Sequence, residues 1–213
     1  LGANTTGTSN VAVGANALDA NTTGGQNTSL GWNALGGNTT AAHNTAVGTE
    51  CMKVSTTGHS NVGMGSQALI ALTTGDSNVA IGYAALNNVT SADDNTALGR
   101  SALQENSTGT RNTAVGYAAS LLATGNDNTT VGFSSGSAIT SGIGNTFLGS
   151  KAGDGTDDGD NNVAVGHSAL SANCGDSNVA VGERALELST GDENTAVGQH
   201  SAGGLTTGSH NTF

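Results

Sequence analysis

Along this chain single apolar residues recur at fixed distances, separated by small polar ones. Each phrase opens on an Asn, taken here as position 0. Position 3 is then Val13, Leu30, Val47, Met64, Ile81, Leu98, Val115, Val131, Leu148, Val165, Val181 and Val197, apolar in every copy. Position 1 is Val or Thr, position 2 is mostly Ala, and position 4 is always Gly. Position 8 is usually Leu, as at Leu18, Leu35, Leu69, Leu86, Leu103, Leu170 and Leu186. The opening residues are Asn10, Asn27, Asn44, Asn61, Asn78, Asn95, Asn112, Asn128, Asn145, Asn162, Asn178 and Asn194, and Asn211 begins a further copy. The interval is 17 residues, or 16 after Asn112, Asn162 and Asn178. The consensus reads N-[TV]-A-V-G-x-x-A-L-x-x-x-T-T-G-x-x.

A helix-pair repeat needs more than about thirty residues, so this period excludes one. It suffices for short strands and turns, and Val and Thr favour strands. The pattern predicts an all-β fold: a parallel β-solenoid, or β-roll, of about twelve coils stacked ~4.8 Å apart. Positions 1 and 3 share a face by the two-residue strand period and are predicted to point into the core. Position 2 is predicted to face outward, its small size implying close packing on the opposite wall or on a neighbouring chain. Gly at position 4 marks one corner. The second corner is T-T-G at positions 12 to 14, as in Thr22-Thr23-Gly24 and Thr73-Thr74-Gly75. The repeated Asn reads as a structural ladder, because an amide carries both donors and an acceptor and can bond its own copy one coil away. A core of two or three large apolar residues per coil is thin, which favours a homotrimeric bundle of rolls.

The whole chain, 1–213, reads as one repeat array, regular over 10–119, divergent over 120–161 and regular again over 162–213. Leu1 to Gly7 matches positions 8 to 14 of a preceding copy, so a window of a longer chain is expected. Disorder, which 34 Gly and no Pro in 213 residues would otherwise suggest, does not keep one apolar phase throughout. A net charge of −11 with five Lys and Arg argues against nucleic acid and anionic membrane surfaces. No apolar run is long enough for insertion into a bilayer. Cys51 and Cys174 sit seven copies apart, roughly 34 Å at the coil spacing, which predicts no disulfide. Cys51, at position 7, reads as a small buried hydrophobe.

The motif resembles the NTAIG…AL…NTTG-like repeats of bacterial and phage fibre proteins, which form long shafts. It is also similar to the shorter N-S-V-A-I-G head repeat of trimeric autotransporter adhesins. The likeness is clear over Asn10–Leu103 and Asn162–Gly198, and weaker over 120–160, where position 8 loses its Leu. It implies an extracellular fibre on a cell surface or virion, self-associated as a homotrimer or filament, that reaches or adheres. It implies no catalysis by the repeats, and no enzyme activity and no resident cofactor are expected.

A few local features could carry chemistry. Asp154, Asp157, Asp158 and Asp160 crowd one Gly-rich turn, and hard oxygens on a turn suit structural calcium. The spacing matches no established calcium loop, and a solvated acidic turn is the competing reading. Trp32, Tyr83, Tyr117 and Phe133 share position 5 and could stack on cell-surface glycans, or could shield neighbouring backbone. Five His at mixed phases offer no zinc set. Seven N-x-[ST] sequons, among them Asn21 and Asn38, would allow glycan at the corners. An ice-binding role needs an outward Thr ladder and is disfavoured by the inward direction predicted for position 1.

Overall fold

A computed structural model describes residues 1–213. It is all-β, a parallel β-solenoid with one three-residue strand per copy. The strands are β1 (Val11–Val13), β2 (Thr28–Leu30), β3 (Thr45–Val47), β4 (Val62–Met64), β5 (Val79–Ile81), β6 (Thr96–Leu98), β7 (Thr113–Val115), β8 (Thr129–Val131), β9 (Thr146–Leu148), β10 (Val163–Val165), β11 (Val179–Val181) and β12 (Thr195–Val197). The rest of each coil is turns.

The chain divides into two compact units, Leu1–Thr110 and Arg111–Phe213. The first holds β1 to β6, each paired in parallel with the next in sequence. The second holds β7 to β12 in the same manner. Registers join like to like: Val13 lies beside Leu30, and Val165 beside Val181. The divergent stretch 120–161 falls inside the second unit.

The strand faces are the reverse of those predicted. Position 2 is buried: Ala46, Ala80, Ala97, Ala114, Ala164, Ala180 and Ala196 are fully enclosed. Positions 1 and 3 point out, and Val13, Leu30, Met64, Leu98, Leu148 and Val197 are about half exposed. The cause is the narrowness of the coil. A side chain at position 2 meets positions 7 and 8 across the interior. At Gly63 an added Cβ would lie 2.5 Å from Cys51 Sγ and 3.0 Å from Met52 Cε. Only a small residue fits there, while position 8 supplies the bulk: Leu18, Leu35, Leu69, Leu86, Leu103, Leu170 and Leu186 are completely buried.

One exception accounts for the divergent stretch. Position 2 of β9 is Phe147, fully buried, and position 8 in its own coil and the one before is Gly153 and Gly136. A Cβ at Gly153 would collide with the Phe147 ring. The core there is filled from the strand instead of from the turn.

Two further devices close each coil. Gly at position 4 adopts φ between +126° and +143°, and its missing Cβ leaves room for the next coil. At Gly14 and at Gly31 a Cβ would lie 2.5 Å from the carbonyl oxygen of the following corner Gly. Both the dihedral and the contact therefore require Gly. Position 8 turns with positive φ although it is Leu, for example +51° at Leu18 and +49° at Leu86. Such a conformation costs on the order of 1–3 kcal/mol where nothing enforces it. Here it aims the side chain inward while the Leu18 and Leu86 N–H groups still bond the next coil.

Candidate functional site

The repeated Asn lies at the end of the coil just before the strand, where the chain returns from its second corner. Its side chain is buried in every copy but the first and the last, Asn10 and Asn211. Each amide does two jobs. Its Nδ2 donates across its own coil to the carbonyl of position 14: Asn27 to Ala41 and Asn95 to Gly109 at 2.8 Å, Asn44 to Gly58 at 2.7 Å. In the second unit Asn112 reaches Gly125 and Asn145 reaches Gly159 in the same way. Its Oδ1 accepts the backbone N–H of the Asn in the next coil, as from Asn27 to Asn10, Asn61 to Asn44, Asn78 to Asn61, Asn128 to Asn112, Asn162 to Asn145, Asn178 to Asn162 and Asn194 to Asn178. One side chain thus clamps its coil shut and pins it to its neighbour.

Two ladders went unnoticed in the sequence. At position 11, Asn38 donates to Asn21 Oδ1 at 2.7 Å, and Asn21 to Asn4 Oδ1 at 2.7 Å. Asn21 and Asn38 are fully buried with their amides engaged, so the glycan suggested for them has no site. Glycan linkage would use the Nδ2 atom that each donates. The second ladder is two residues before the strand Asn, where Asp recurs. Asp93 accepts from the Asp76 N–H and Asp76 from the His59 N–H. In the other unit Asp192, Asp176 and Asp160 accept from Asp176, Asp160 and Ile143. The shared phase of these Asp residues was the available signal.

That ladder takes in one residue of the acidic turn. Asp160 belongs to it. Asp157 accepts the Thr140 hydroxyl, and Asp158 is exposed to solvent. Asp154 lies in the preceding turn, and partial burial raises its carboxyl above the usual range against the opposing pull of Lys151. The four carboxylates face different neighbours, and no three His, Cys, Asp or Glu are grouped to hold a metal.

Position 5 follows the corner Gly. Trp32, Tyr83, Tyr117 and Phe133 are each about half exposed. Tyr117 and Phe133, on successive coils, stack with centroids 5.4 Å apart and planes 10° from parallel. The Arg100 guanidinium lies 5.7 Å from the Tyr83 ring centre. The outward Thr at position 1 removes the objection raised above to ice binding.

Cys51 and Cys174 are free thiols, both buried. Burial pushes the Cys51 thiol up to about 12 and the Cys174 thiol up to about 11. Outside the core, Arg111 pairs with Asp127 at 2.6 Å and holds that carboxyl below its usual range. No helix is long and apolar enough to cross a membrane. No protein-family model matches the chain, and no curated protein matches it.

Proposed function

We propose that the chain is a structural segment of an extracellular fibre, carried on a cell surface or a virion, that supplies reach and adhesion. One observation carries this reading: every coil spends its conspicuous residues on closing itself and joining the next one. The Asn amides and the Leu plugs close each coil, and the Asn Oδ1 atoms, the corner Gly residues and the Asp ladder join it to the next. An arrangement of that kind adds length with each copy. The N-T-A-V-G phrase, similar to that of fibre shafts and adhesin heads, points the same way.

Immunogold labelling with antibody against residues 1–213, on intact cells and virions of the source, tests the reading. Gold along surface filaments is expected; labelling confined to the cell interior overturns it. A second reading, glycan binding, is favoured by the exposure of Trp32, Tyr83, Tyr117 and Phe133. A glycan array tests it, with signal expected for the native chain and lost in Trp32→Ala, Tyr83→Ala and Tyr117→Ala.

A further inference from the structure

We infer that the first unit binds one water molecule inside its stack of coils, held by Asn38 Oδ1, Ser55 Oγ and the Gly58 carbonyl. The inference goes beyond the fibre reading and does not depend on it. The water stands where the preceding coils carry a side-chain amide nitrogen.

The site lies where the position 11 ladder is interrupted. Asn4, Asn21 and Asn38 follow one another on successive coils, and the next residue in phase is Ser55. Within the ladder an Asn Nδ2 donates twice. Asn21 gives one hydrogen to Asn4 Oδ1 at 2.7 Å and the other to the Gly24 carbonyl at 3.0 Å. Asn38 does the same toward Asn21 Oδ1 at 2.7 Å and the Ala41 carbonyl at 3.2 Å.

Ser55 breaks the pattern because its side chain is too short. Asn38 Oδ1 has no donor, and Ser55 Oγ is itself unpartnered. Both residues are fully buried. The Gly58 carbonyl is short of a donor as well. It accepts Asn44 Nδ2 at 2.7 Å, whereas the Gly24 and Ala41 carbonyls each accept two amides. The room is present too. An added Cβ would lie 2.6 Å from Asn4 Oδ1 at Gly7 and 2.7 Å from Asn21 Oδ1 at Gly24. At Gly58 the neighbours of such a Cβ out to 3.3 Å belong to Gly75, Asn61 and Thr74, and none to Ser55. The volume that a carboxamide fills in the earlier coils is not taken up by the Ser55 hydroxyl.

Chemistry selects water. The groups left over are two acceptors, Asn38 Oδ1 and the Gly58 carbonyl, and one hydroxyl that can donate. A water molecule gives one hydrogen to each acceptor and accepts a hydrogen bond from the Ser55 hydroxyl. Ser55 and the water together thus reproduce an Asn. Buried waters make about three such bonds. A metal cation would find three oxygens here, against the roughly six that hard cations take. Ser189, the other unpartnered buried hydroxyl, lies in the second unit with no unpartnered side-chain acceptor beside it.

Oxygen-17 magnetic relaxation dispersion on the full 213-residue chain counts the waters that exchange slowly with solvent. The native chain should hold such a water. Ser55→Asn, which completes the ladder, should hold one fewer and melt at a higher temperature. Ser55→Ala separates a wet site from a dry one by the sign of its effect. With the water in place it removes that molecule's donor and lowers the thermal midpoint. At a dry site it deletes an unpaired hydroxyl and raises the midpoint. A crystal structure of the native chain needs no variant, and density is expected about 2.7–3.2 Å from all three oxygens.

A native chain without slow water, an unchanged count in folded Ser55→Asn, or a midpoint that Ser55→Ala does not lower overturns the site. So does a crystal in which the space is empty, or holds density about 2.4 Å from the oxygens, the distance of a metal cation.

Discussion

Replacing Asn61 by Ala removes the clamp from the middle of the first unit. The side chain donates to the Gly75 carbonyl at 2.8 Å and accepts the Asn78 N–H at 2.9 Å, and it is fully buried. Alanine leaves the Gly75 carbonyl and the Asn78 N–H without these partners, where water does not reach. Each buried unsatisfied group costs about 1–3 kcal/mol, so the loss should be about 4 kcal/mol. The Asn61 N–H keeps its own bond to Asn44 and adds nothing to that sum. Against a domain stability of about 5–15 kcal/mol this is a large fraction. Repeat arrays can unfold in parts. The assay is therefore urea unfolding followed by Trp32 fluorescence, together with native-state hydrogen exchange at the Asn78 amide. Asn61→Asp is the informative companion. It keeps the acceptor for Asn78 but sets a second acceptor against the Gly75 carbonyl, and protonation in acid restores a donor. A loss below about 1 kcal/mol, with Asn78 as protected as in the native chain, would refute the idea that the Asn ladder holds the coils.

Gly48→Ala should be as damaging, because φ is +134° and the new Cβ would lie 2.6 Å from the backbone of Gly65, whereas Gly204→Ala meets nothing within 4 Å and should leave the thermal midpoint unchanged. Phe147→Ala should cost about 3–5 kcal/mol in chemical denaturation through the cavity it leaves. Adding Gly153→Leu to it should recover part of that loss, since Leu takes the same dihedral at position 8 elsewhere. Asp154→Asn should raise stability at neutral pH. Burial raises the folded carboxyl above its unfolded value of 3.8, so that group favours folding in acid and loses this contribution as pH rises through the folded value. The gain from Asn should vanish below about pH 3.8 when melting is followed across pH. Cys51 and Cys174 should resist a thiol reagent in the native chain and react fully in denaturant, with the rates measured by mass spectrometry.

The period, the Gly corner and the Leu plug were legible in the sequence because each rests on a residue type that the geometry restricts. The direction of the strand was not. A three-residue strand offers two outward positions and one inward, and here both classes are free of charge, so polarity cannot orient it. Size could have done so. Phe147 is the single large residue at position 2, and it coincides with Gly at position 8 in its own and the preceding coil. Such a trade of volume is made only between side chains that share a core. The Asp ladder is visible as a phase, but the crowding of Asp residues at 153–162 masks the phase that Asp160 shares with Asp176 and Asp192.

The hydrogen bonds between strands and between Asn residues run in the direction in which the coils stack. Tension applied that way loads these bonds one junction after another and does not shear them all at once. A coil that lets go changes from ~4.8 Å of stack into 16 or 17 residues of free chain, about 55 Å when fully extended. Under pull, each unit would therefore lengthen in steps of about 50 Å with no covalent bond broken. The remaining coils would keep the edge on which a slackened one can restack.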